Sequence, residues 1–144
     1  MTPSFDQLMA EVTGRFDHRA HVHLTWLAVR RLGTAAAIDV VSAGIQQTAR
    51  YAGAPQKYHA TVSRAWVELI GHHLLQASPE EDFEQFAARV PALLDKRLLA
   101  QHYRAATLAS PEARRGWVEP DLAPLPQPSM VDAPFGEPQG VDGR

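Results

Sequence analysis

The chain has 144 residues, no cysteine and a formal net charge of -2. That length suits one domain, and the missing thiol excludes disulfide frameworks, iron–sulfur clusters and thiolate catalysis. A charge this close to zero argues against a nucleic-acid partner, and no apolar run approaches the ~20 residues of a membrane span. The expected setting is therefore a soluble cytoplasmic protein acting on a small-molecule substrate, because the start Met-Thr-Pro-Ser-Phe-Asp also lacks the basic and apolar stretches of a signal peptide. Only Lys57 and Lys96 are lysine among the 14 basic residues, a usage that points to a GC-rich bacterial genome.

Helical signals run along residues 1–116. A first helix is predicted over 17–32, stopped by Gly33, with Thr34 placed to cap the next start. A second is predicted over 35–52, with Ile38, Val41, Ile45 and Ala49 on one face, and Gly53-Ala54-Pro55 ends it. A third is predicted over 57–76. Ser78-Pro79-Glu80-Glu81 then reads as a start: a capping serine, proline at the first helical position, and acids for the dipole. From there Phe83, Phe86, Val90, Leu94, Leu98 and Ala105 continue one apolar stripe. Pro91 interrupts that stripe, so one kinked helix or two are expected. Ser110-Pro111-Glu112 opens a short last helix. The fold class is all-α, an up-down four- to five-helix bundle.

After residue 116 six prolines punctuate the chain, and residues 117–144 carry five acids against one base, Arg144. This stretch is expected to be a mostly irregular arm, in part disordered and in part docked. Trp117, Leu122, Leu125 and Phe135 are its docking candidates, on the body or on a second copy in a homodimer.

Seven histidines carry the chemistry. Successive helical residues rotate by about 100°, which puts His18 and His21 on the apolar face of the first helix and His23 on its polar side. On the third helix His59 centres the apolar face, flanked by Trp66, Ile70 and Val62. His73 also points inward, about 21 Å further along the axis, and His72 lies at the polar edge. In an up-down bundle the first and third helices run parallel, so His18, His21 and His59 are expected to meet at one end.

Three imidazoles suit one transition-metal ion (iron, copper or zinc) and leave a coordination position for water, oxygen or substrate. Tyr58 is the nearest candidate acid, base or hydrogen-bond donor, and His102 a less favoured fourth ligand. Asp17 suits the helix start or a bond to a ligating imidazole. Glu68 and Arg64 are expected on the solvated face, and Gln101 on the apolar stripe of the last long helix. The favoured reading is a small metalloenzyme with oxidoreductase-type chemistry, the predicted pocket being apolar with no carboxylate placed as a hydrolytic base. A haem held by one inward histidine is a further option. The alternative is a non-enzymatic module, binding a small ligand or a protein, whose histidines serve the core. The architecture is similar to that of DinB-like and hemerythrin-like bundles, but the H-x-x-x-E and H-x-x-x-H pairs of those families do not occur here.

Overall fold

The computed structural model describes residues 4–12 and 17–126. Three long helices form its centre: α2 (His18–Leu32), α3 (Thr34–Tyr51) and α4 (Ala60–Leu74). A short α1 (Phe5–Met9) precedes them. After them come α5 (Phe83–Arg89), 3-10 turns at Pro91–Leu94 and Lys96–Gln101, α6 (Ala105–Leu108) and α7 (Pro111–Arg115). No strand occurs among the described residues, and the chain is an all-α helical bundle. No helix among the described residues is long and apolar enough to cross a membrane.

Local chemistry explains the boundaries. The Asp17 carboxylate accepts from the Ala20 amide at 2.9 Å and starts α2. Gly33 alone joins α2 to α3, at φ 83° and ψ 165°, a conformation that a side chain would strain. The helices therefore fold back on each other in succession. Val29, Gly33, Thr34 and Leu74 line one cavity, while His18, His21, Ile45 and His59 line another. The amino-terminal ends of α2 and α4 thus share a level with the carboxyl-terminal half of α3, the up-down arrangement.

Small residues let these helices approach closely. Ala28, Ala37 and Ala65 are fully buried between them. A Cβ at Gly44 would run into the Phe5 ring of α1, and one at Gly71 into the Thr34 hydroxyl. The core they frame holds Leu24, Val41, Trp66 and Ile70, closed by Phe86, Leu93 and Tyr103 from the later segments. Each such side chain contributes about 1.5–3 kcal/mol by leaving water.

The second half departs from the predicted long helix. Ser78 and Pro79 lie in a turn, and the cap falls four residues later on Asp82, which forms a reciprocal box with Gln85 at 2.8 and 2.9 Å. α5 then stops at Val90, at φ -129° and ψ 66°, because a residue before proline is pushed out of the helical region. The Asp95 carboxylate accepts from the Arg97 amide and starts a fresh turn. Of the expected stripe only Phe83 and Phe86 are buried, Val90, Leu94 and Leu98 are half-buried and Ala105 is exposed, while Leu93 and Leu99, one position off it, face the core instead. Gln101, expected on that stripe, is exposed, since the stripe does not continue as an α-helix.

Residues 117–126 lie against the body. Thr61, fully buried, donates its hydroxyl to the Gly116 carbonyl at 2.7 Å and accepts from the Val118 amide at 3.1 Å. The Tyr103 hydroxyl donates to the Val118 carbonyl, and Leu125 is buried. Arg64 stacks over the Trp117 ring at 4.3 Å and bonds Glu68 at 2.6 Å. Glu68 is therefore buried, contrary to the wheel expectation. The arm residues cover a side of α4 that the wheel assigned to solvent. Phe135 and the expected order or disorder of 127–144 lie outside the described residues.

Candidate functional site

A cavity of about 300 Å³ opens at the end of the bundle where α2 and α4 begin. His18, His21 and His59 all line it, together with Asp17, Ile45, Lys57, Val62 and Ser63. The Ser63 hydroxyl lies 3.3 Å from that of Ser42. The wall is thus mostly apolar carbon and imidazole, with one ammonium and one carboxylate among its lining residues.

The three imidazoles differ in what they do. His59 sits just before α4 and serves as its N-cap: Nδ1 accepts from the Val62 amide at 3.1 Å. Its Nε2–H donates to the Leu108 carbonyl at 2.6 Å, at the end of α6. Both ring nitrogens are thereby committed to backbone. His18 donates from Nε2 to the Leu93 carbonyl at 2.9 Å and sets its ring 4.6 Å from that of Trp66. In that tautomer the lone pair of His18 is on Nδ1. His21 lies with its ring centroid 6.2 Å from that of His18. Burial, and then the charge of His18, lowers its pKa to about 4, so its imidazole is neutral at physiological pH. Among the described residues no group of three or more His, Asp or Glu side chains is arranged to hold a metal ion. The cavity brings three imidazoles together, but the two backbone bonds of His59 turn its nitrogens away from shared ligation.

The remaining expected site residues are placed as follows. Tyr58 lines a different cavity, with Gln46, Arg114 and Arg115. The cause is the extended backbone at Tyr58 and His59, which turns successive side chains to opposite sides. His102 donates from Nδ1 to the Ala123 carbonyl at 2.9 Å, and its own carbonyl accepts from the Leu122 amide. It clasps the arm and does not line the histidine cavity. Asp17 lines the cavity while capping α2. His23, assigned to the polar side, is half-buried and stacked on Phe83 at 4.2 Å, because α5 packs over that edge of α2. His72 and His73 are both half-buried at the far end of α4, their ring centroids 5.1 Å apart.

Lys57 and Ser63 were not singled out from sequence. A lysine two residues before a capping histidine, and a serine one turn into a helix, carry no signal until the helices pack. Arg114 and Arg115 were likewise invisible, since a basic pair in the last turn of a helix is an ordinary dipole complement. Set against known proteins, the chain matches no family model, no curated protein and no solved structure.

Proposed function

We propose that the chain is a helical module that binds a small organic ligand in the cavity walled by His18, His21, Ile45, His59 and Val62. One observation carries this reading: His59, the centre of the expected metal set, gives both ring nitrogens to backbone partners. A cavity of about 300 Å³ suits a compact ligand with an apolar body. The neutral His21 ring accepts or donates a hydrogen bond without demanding a counter-charge. Lys57 at the same wall offers a cation to a ligand oxygen. A panel of small aromatic alcohols and amides, followed by ligand-observed NMR, tests this. Saturable binding that disappears in Val62→Phe, which fills the cavity, is expected. Absence of any binder, or binding unchanged in that variant, refutes it.

A second reading keeps the mononuclear transition-metal centre with oxidoreductase-type chemistry, favoured by the placement of all three imidazoles on one cavity wall. It requires the His59 ring to leave Val62 and Leu108, a cost of about 2 kcal/mol that a transition ion repays many times over. Metal analysis of tag-free protein decides between them. Near-stoichiometric iron, copper or zinc, lost in His59→Ala, establishes the metal reading; less than about a tenth of an equivalent, with no uptake on titration, removes it. Tyr58 acquires no part in either reading, because its side chain belongs to the neighbouring cavity.

A further inference from the structure

We infer that the chain carries a second, anion-selective site, built from Gln46, Gln56, Tyr58, Arg114 and Arg115, that takes the phosphate of a small phosphomonoester. These residues, with Pro55, line a cavity of about 420 Å³ between the end of α3, the 55–57 turn and α7. The donor set selects the ligand. Two guanidiniums bring only N–H donors, the tyrosine an O–H, and the two amides further N–H groups. No carboxylate among the described residues lines the cavity. Arg19, Arg31, Arg64, Arg89 and Arg97 each pair with a carboxylate, whereas neither Arg114 nor Arg115 forms an ion pair among the described residues.

The site is held in place on one side. Arg114 donates from Nη1 to the Gln56 carbonyl at 2.9 Å, which ties α7 to the turn before α4. One face of its guanidinium is thus anchored while the planar fork keeps further donors for an oxyanion. The Arg115 side chain makes no hydrogen bond to the described residues and is available to complete a two-guanidinium clamp. Two cations match a phosphate dianion better than a carboxylate monoanion. Pro55 and the Tyr58 ring supply an apolar wall for an organic group bonded to that phosphate. The same extended backbone that sends His59 to the histidine cavity sends Tyr58 here. The inference is independent of what the histidine cavity binds.

The test is a titration of the full chain with phenyl phosphate, inorganic phosphate and benzoate at pH 8 and low salt, read by calorimetry and by amide chemical shifts. At that pH a phosphomonoester is a dianion, its second pKa being about 6. Phenyl phosphate is expected to bind most tightly, with shifts centred on residues 55–58 and 113–116. Arg115→Gln is expected to weaken it by about tenfold or more, the loss of one charge-assisted contact. That variant breaks no hydrogen bond within the described residues, so folding is not at issue. Arg97→Gln, whose partner is the distant Asp95, is expected to bind as the unmodified chain does. No saturable binding, binding insensitive to Arg115→Gln, or benzoate binding as tightly as phenyl phosphate would each overturn the inference.

Discussion

Replacing His59 separates a structural imidazole from a metal ligand. The ring makes two backbone bonds: Nδ1 caps α4 at Val62, and Nε2–H reaches Leu108 across the molecule. Losing a helix cap costs about 1 kcal/mol, within a range of about 0.5–2. Losing the second bond strands a carbonyl and costs about 1 kcal/mol more. His59→Ala is therefore expected to destabilise the chain by about 2 kcal/mol. His59→Asn keeps a capping oxygen but is too short to reach Leu108, and should recover about half of that loss. Urea denaturation, followed by helical circular dichroism in buffer containing EDTA, gives both values. Two results would refute the reasoning: an alanine variant within about 0.5 kcal/mol of the unmodified chain, or an asparagine variant no better than alanine. A destabilisation seen only with added metal, and abolished by EDTA, would make the ring a ligand.

Two further predictions follow from the same end of the molecule. The pKa of His21 is lowered to about 4 from an ordinary 6.5, in a setting shared with Asp17, His18, Lys57 and His59. The unfolded chain then binds the extra proton first, so stability from His21 is complete above about pH 6.5 and is lost as pH falls towards 4. At about 1.36 kcal/mol per pKa unit the loss is at most about 3 kcal/mol, and His21→Leu should flatten the stability profile between those limits; parallel profiles for the two proteins would contradict this. Thr61→Val keeps the shape but strands the Gly116 carbonyl and the Val118 amide, at a cost of about 1–3 kcal/mol. Hydrogen exchange at Val118 should accelerate markedly in that variant, and unchanged protection would show that the arm is held by other contacts.

Much of the central bundle is legible in the residue pattern. α2 begins one residue after its predicted start and ends at the same leucine, because Asp17 and Gly33 are local signals that need no partner. α3 and α7 are comparably clear, the latter from Ser110-Pro111-Glu112. The inward facing of His18 and His21 follows from helical rotation, whereas His59 lies before α4, which begins at Ala60 and not at 57 as expected, and reaches the same cavity wall from extended backbone. The long fourth helix does not survive, since the apolar residues between Phe83 and Leu99 can be buried by α-helix, 3-10 turns or loop alike. α1 lay below notice, although Ser4 and Gln7 form a capping box, because five residues make too short a pattern.

The histidines show where sequence stops and tertiary structure takes over. Rotation of about 100° per residue tells which way a helical side chain faces, and so the sequence by itself determined that His18 and His21 look inward at one end of an all-α bundle, whereas His59, in extended backbone before α4, is placed by packing. The sequence carries no information about which atoms sit opposite these rings. Leu93 and Leu108 lie 75 and 49 residues away in the chain and present their carbonyls to His18 and His59 only because the second half wraps back over the first. The same wrapping buries Glu68, gives His102 to the arm and leaves Arg114 and Arg115 facing one cavity that no carboxylate among the described residues lines. Facing is a property of local helical geometry; a hydrogen-bond partner brought in from across the chain is decided by packing, and here packing gives His59 to the backbone.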